Sequence, residues 1–325
     1  MEINEPVFCD IGITENCIFK CKMCRLWESR VDPKELSVDD WKVFIDSLAE
    51  CGFSKVKLHF AGGEPLVKKG IIDVLAHAHG RGFTTVMVTN GFLIDEPMAA
   101  RIASCGLDVV SISLDTLDSD THDYLRGVKG AHVQAMRAIK NLKKEGVKSV
   151  SILAIIMGPN IQHLVDLVEW ANNNNDLSSI YLQAISQPIA TDKDNQWHGR
   201  EPLRYLWPHD KIQLDSVIDR LIGYKKQGYK ISNSIEQLEV FKEYFKQPNK
   251  LGVGKVCNQG DYVMYIRPTG DVLLCGSREA VGNIKTSFIR DIWHSKEAIT
   301  RREQMRNCKE SCLNVLNCFE DKKLL

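Results

Sequence analysis

Three cysteines, Cys17, Cys21 and Cys24, stand at C-x3-C-x2-C within eight residues of a 325-residue chain. Thiolates this close can wrap one face of a metal group. A structural zinc site normally takes four protein ligands, and no histidine or fourth cysteine stands nearby at finger spacing. An iron–sulfur cube on three thiolates instead leaves one iron open, and an open coordination position is where a further ligand binds. A zinc knob that borrows Cys9 or a distant ligand is the competing reading. A second group, Cys257, Cys275, Cys308, Cys312 and Cys318, gathers towards the C-terminus. Eleven cysteines, odd in number and clustered, suit metal or redox chemistry in a reducing compartment better than disulfides. Cys9, Cys51 and Cys105 fall in strand-like or helix-end apolar settings and read as small buried hydrophobes.

Elements must position these thiols. From about residue 7 to residue 184, short apolar runs alternate with longer amphipathic stretches, the pattern of βα units around a parallel sheet. Six strands are expected, near 7–14, 55–60, 84–89, 108–114, 149–157 and 179–184, with helices near 37–51, 70–81, 95–104, 131–145 and 162–174. Such units build either an open doubly wound sheet or an incomplete curved barrel, and periodicity does not choose between them. The thiols follow the first strand. Gly62-Gly63-Glu64-Pro65 lies at the C-terminal end of the second, where parallel-sheet enzymes bind ligands. Taken alone, that segment also reads as a tight turn with a capping glutamate. Asn90 closes the third strand, Ser113 and Asp115 share one parity at the end of the fourth, and Gln183 ends the sixth, where an ordinary strand-end amide is the simpler reading.

After Ala184 the pattern changes. Residues 186–208 are polar and aperiodic, with three prolines and two tryptophans, and read as an ordered lid in which Trp197 and Trp207 either cap a barrel mouth or glue domains together. Helices are expected at about 209–228 and 234–245, the second capped by Ser232 or Asn233. A β-hairpin, 262–266 and 272–275, turns at Pro268-Thr269-Gly270-Asp271, and one helix is expected near 291–306. The division implied is a core over 1–184, lid and linker helices over 185–256, and a terminal cysteine-bearing domain over 257–325.

The 42 basic and 42 acidic side chains leave no bulk field for nucleic acid or anionic lipid. No apolar run approaches the ~20 residues of a membrane span, and the N-terminus lacks the basic start and apolar core of a signal peptide, so a cytoplasmic protein is expected.

Cys17, Cys21 and Cys24 in this spacing after a first strand resemble the defining motif of radical S-adenosylmethionine (SAM) enzymes. Gly62-Gly63-Glu64-Pro65 is similar to the segment that receives the SAM amino group in that family. Met23 stands where the family often has an aromatic residue. The resemblance implies an α/β fold, a partial (β/α)6 barrel, with a [4Fe–4S] cluster on the three thiolates and SAM on its fourth iron. Reduction then cleaves SAM to methionine and a 5′-deoxyadenosyl radical that takes hydrogen from a substrate. Asn90, Ser113, Asp115 and Gln183 are candidate cofactor contacts. Arg126 is either a fork for the SAM carboxylate or a surface arginine at a helix end. The spacing Cys257-x12-Gly270-x4-Cys275, with the later cysteines, is similar to the SPASM and twitch extensions. It implies a small hairpin-plus-helix domain with one auxiliary [4Fe–4S] cluster on Cys257, Cys275 and two of Cys308, Cys312 and Cys318; a zinc ribbon is the alternative. The implied chemistry is a redox-coupled modification of a small molecule such as a sugar, nucleotide or tetrapyrrole, driven by a low-potential donor such as flavodoxin or ferredoxin. A peptide maturase is the alternative, although only sixteen residues precede Cys17 and no leader-binding domain is expected there. A non-catalytic iron–sulfur or zinc module is the alternative of another class.

Overall fold

The computed structural model describes residues 4–28, 32, 34–250 and 256–310. Cys312 and Cys318 therefore lie outside the described residues. Six parallel strands form in chain order: β1 (Phe8–Thr14), β2 (Lys57–Gly62), β3 (Thr85–Thr89), β4 (Val109–Ser113), β5 (Ser149–Ile156) and β6 (Ser179–Ala184). Their spatial order is β6-β5-β4-β3-β2-β1. That sequential order settles the topology: a doubly wound sheet reverses direction at a switch point, and this one does not. The sheet stays open, as a partial barrel does.

The covering helices are α1 (Val38–Glu50), α2 (Ile71–Gly80), α3 (Glu96–Ser104), α4 (Ser119–Arg126), α5 (Ala131–Lys144) and α6 (Leu164–Asn173). In α1 the residues Trp41, Phe44, Ile45 and Leu48 recur on one face and are buried. Each such side chain contributes about 1.5–3 kcal/mol of burial. The helix starts where Ser37 and Asp40 form a reciprocal capping box. Trp41, Phe44, Ile45 and Leu48 join Cys9, Ile11, Leu58 and Phe60 of β1 and β2, all fully buried, in one core. Cys105, also buried, caps α3, and the half-buried Cys51 caps α1.

Three elements depart from the sequence expectation. The helix α4 has the polar sequence SDTHDYLR and no apolar stripe; Asp118 caps its start and Gly127, left-handed at φ 68°, ends it. The helices α7 (Lys211–Lys226) and α8 (Ile235–Lys246) are present, but Ser234 caps α8 in place of Ser232 or Asn233. Asn233 instead bonds both the N–H and the carbonyl of Leu182 and so covers the outer edge of β6. The expected terminal helix is two helices, α9 (Ile289–Trp293) and α10 (Lys296–Arg306), because Ser295 starts a new cap.

Trp197 and Trp207 are buried against each other, and Trp207 packs edge-on to Tyr244 and Phe245 of α8. The pair joins the 186–208 segment to the helices, so packing is its role in the fold. The hairpin forms as expected, β7 (Val263–Ile266) and β8 (Asp271–Leu273), and a two-residue strand β9 (Gly282–Asn283) extends it. Here β7 runs parallel to β1, with Phe8 opposite Val263, so nine strands make one sheet and the hairpin continues the barrel wall.

Candidate active site

The thiol loop begins where β1 ends. Thr14 donates to Glu35, whose carboxylate also takes the N–H of Glu15 and the Lys68 ammonium. The N–H groups of Gly63 and Glu64 donate to the carbonyls of Thr14 and Asn16 at 2.7 and 2.8 Å, which straps the end of β2 to the start of the loop. A Cβ on Gly63 would lie 2.2 Å from the Asn16 carbonyl oxygen, so only glycine permits this approach. The far side of the loop rests on α4: Lys22 N–H donates to the Leu125 carbonyl at 2.8 Å, and a Cβ on Gly127 would meet the Lys20 carbonyl oxygen at 2.2 Å. The backbone of Cys24 forms an isolated parallel bridge with Ile189 of the 186–208 segment.

Cys17, Cys21 and Cys24 are half-buried and close together: Cys17 feels the charge of Cys24, and Cys21 feels both. Burial raises all three thiols and pushes Cys21 up to about 12. Such thiols ionise when a metal supplies positive charge, which is how thiolate ligands behave.

Glu64 is 1% exposed and Pro65 is buried beside it. The Glu64 carboxylate takes the Thr89 hydroxyl at 2.7 Å and the N–H groups of Asn90 and Leu66 at 2.8 and 3.1 Å. Burial raises its pKa in spite of these three donors. The side chain is thus a brace between β2 and β3, in keeping with the capping-glutamate reading of this segment. The Asn90 carbonyl oxygen caps its own turn by accepting from Phe92 N–H at 2.9 Å. Ser113 is buried at the last position of β4, and Gln183 is half-buried on β6, opposite Ile155.

Asp115 lies just past β4 and is completely buried. One of its oxygens accepts from Arg126 Nε at 2.7 Å and the other from Ile155 N–H at 3.0 Å. Asn160, absent from the sequence candidates, donates to the Asp115 carbonyl at 2.8 Å. His122, also unforeseen, accepts at Nδ1 from Asp115 N–H at 3.2 Å; burial lowers its pKa to about 4, and the imidazole is neutral. No local signal announces these two, since their partners lie seven and forty-five residues away.

Arg126 is 7% exposed, so the surface-arginine alternative is ruled out. Burial works against its charge, but Asp115 and the adjoining Cys21 outweigh that and raise its pKa. Its Nη2 is buried without a hydrogen-bond partner. An unpaired guanidinium nitrogen beside three thiols fits a bound carboxylate.

Further along the molecule, Cys275 and Cys308 line one cavity of 520 Å³ together with Ile189, Lys193, Trp197 and Arg278. Arg278 Nη2 lies 3.6 Å from Cys308 Sγ. Cys257 is half-buried and packs against the core. The hairpin and the segment after α10 therefore bring Cys275 and Cys308 to one cavity beside the 186–208 segment.

Residues 11–171 match the model of the radical SAM superfamily, and residues 257–318 match SPASM, an iron–sulfur cluster-binding domain. An AdoMet-dependent heme synthase of Oleidesulfovibrio alaskensis is 33% identical over 300 residues, 88% of this chain and 74% of the relative. The chain belongs to the radical SAM superfamily. A PqqA peptide cyclase of Bradyrhizobium diazoefficiens is 26% identical over 314 residues, 94% of this chain and 78% of that one. Streptococcus suis SuiB bound to S-adenosylmethionine has the same fold, with a TM-score of 0.71 at 18% identity over 98% of this chain and 75% of the other. This radical SAM enzyme uses SAM and a [4Fe–4S] cluster, has an auxiliary iron–sulfur domain and needs a reductant. When bound, the reduced cluster supplies the electron that splits SAM into methionine and a 5′-deoxyadenosyl radical. Among the described residues no helix is long and apolar enough to cross a membrane.

Proposed function

We propose that this enzyme abstracts hydrogen from a small molecule, tetrapyrrole intermediates foremost, in a redox-coupled modification supported by one auxiliary [4Fe–4S] cluster. The unpaired Nη2 of Arg126 beside Cys17, Cys21 and Cys24 carries the reading, as a seat for the SAM carboxylate, and the 520 Å³ cavity lined by Cys275 and Cys308 is where the auxiliary cluster would be held. The likeness to a heme synthase supports the tetrapyrrole class. In this reading Cys17, Cys21 and Cys24 hold the SAM cluster. Arg126, aimed by Asp115, Asn160 and His122, takes the SAM carboxylate. The backbone of Gly62 and Gly63 borders the amino group, with Glu64 and Pro65 fixing its path, while Asn90, Ser113 and Gln183 border the rest of the cofactor. Cys257, Cys275 and two of Cys308, Cys312 and Cys318 hold the auxiliary cluster.

The division into 1–184, 185–256 and 257–325, a cytoplasmic setting, and flavodoxin or ferredoxin as donor belong to the same proposal. A peptide substrate is the second reading, favoured by the peptide cyclases that align along nearly the whole chain. The test is 5′-deoxyadenosine formation by iron-loaded protein with SAM and dithionite, challenged with a deuterated iron porphyrin and with deuterated short peptides. Deuterium in the deoxyadenosine from the porphyrin supports the proposal. Label from peptides alone replaces it with the second reading.

A further inference from the structure

The thiol loop has an outer face as well as an inner one, and the two differ in charge. On the outer face Lys20, Cys21, Lys22, Arg25, Trp27 and Glu28 line a shallow cleft of 310 Å³. Lys20 is exposed, with its ammonium 5.9 Å from the centre of the Trp27 ring; Lys22 lies 5.2 Å from the centre of the exposed Tyr124 ring. Arg25 pairs with Glu28 at 3.3 Å, so the face keeps an excess of two positive charges in a chain whose formal net charge is zero. Cys21, half-buried like Cys17 and Cys24, is the one of the three that lines this cleft, and Arg126 adjoins it. The 310 Å³ cleft borders the SAM-cluster thiols, and the 520 Å³ cavity does not.

We infer that this face is the electron-entry surface: an acidic protein carrier of single electrons docks on Lys20, Lys22 and Trp27 and discharges through the Cys21 side of the loop. The inference rests on the assignment of Cys17, Cys21 and Cys24 to the SAM cluster. Electron transfer weakens steeply with distance, so the donor must approach where a ligand comes to the surface. Basic charge around that point selects and steers a carrier of opposite sign. Trp27 and Tyr124 hold the two ammonium groups over flat aromatic faces, which gives the docked partner a rigid apolar contact between the charges. With a flavodoxin hydroquinone as donor, the anionic flavin loses one electron and becomes the neutral semiquinone. The cluster gains that electron, and no proton moves.

The test uses the full chain loaded with iron and sulfide, reduced flavodoxin as the protein donor, and dithionite as the small one. Lys20→Glu/Lys22→Glu is compared with the parent for iron content, SAM binding, flavodoxin Kd and 5′-deoxyadenosine formed with each donor. The expected result is unchanged iron, SAM binding and dithionite-driven turnover, with at least a tenfold loss of flavodoxin affinity and of flavodoxin-driven rate at low salt. Raising the ionic strength should shrink the difference. Equal losses with both donors would mean that the lysines tune the cluster, and would overturn the docking assignment. So would unchanged flavodoxin binding. No deoxyadenosine from the parent with dithionite would instead defeat the underlying cluster assignment.

Discussion

Arg126 shows how much one side chain can depend on residues far along the chain. Its charge is tolerated inside the protein because Asp115 is fixed by Ile155, Asn160 and His122 from other elements. Asp115→Ala should strand a buried cation and cost about 3–5 kcal/mol in urea unfolding. Arg126→Lys keeps charge but loses the planar fork, so its Kd for SAM should rise at least tenfold while the fold survives. His122 gives a pH signature. Its folded pKa, about 4, lies below the ordinary value of 6.5, so the unfolded chain binds the extra proton first as pH falls. Stability should therefore drop from pH 6.5 towards 4, by up to about 3 kcal/mol from this group, and His122→Gln should flatten that slope. The thiol triplet and the Glu64 turn were legible from spacing alone. The buried setting of Arg126 was not, because a helix-end arginine looks the same in sequence whether it faces water or an aspartate eleven residues earlier.

At the scale of elements, the six strands were legible to within two residues or so, since β3, β4 and β5 are buried nearly throughout and β1, β2 and β6 alternate buried with half-exposed residues. The helix α4 was not, because it buries His122, Leu125 and Arg126 and offers no apolar stripe. Yet α4 carries one wall of the thiol loop. Gly127 ends it in a left-handed turn against Lys20, so Gly127→Ala pays twice, in backbone strain and in overlap with a carbonyl. This substitution should lower the melting temperature and cut the iron retained by the N-terminal loop, as read by thermal unfolding and by iron assay in the same preparation. Gly82→Ala, at a similar φ but facing open space, should retain its iron.

In the molecule as a whole, the hairpin that carries Cys275 is part of the barrel wall. The pairing of β7 with β1 joins residues near opposite ends of the chain, and no local pattern reveals a contact of that span. A chain cut after residue 250 would leave the edge of β1 from Phe8 to Ile11 unpaired. Such a chain should aggregate or lose cooperative unfolding, as followed by light scattering and circular dichroism. The same sheet carries the thiol loop just past β1 and Cys275 just past β8, and Cys275 shares the 520 Å³ cavity with Cys308. The central proposal is two clusters, one on Cys17, Cys21 and Cys24 and one on the C-terminal cysteines. It is tested most directly by anaerobic reconstitution with iron and sulfide, then SAM and dithionite, on the parent and on a Cys17/Cys21/Cys24→Ala variant. The account predicts about eight irons and 5′-deoxyadenosine from the parent, against about four irons and no deoxyadenosine from the variant. Deoxyadenosine from the variant, or about four irons in the parent and none in the variant, would contradict it.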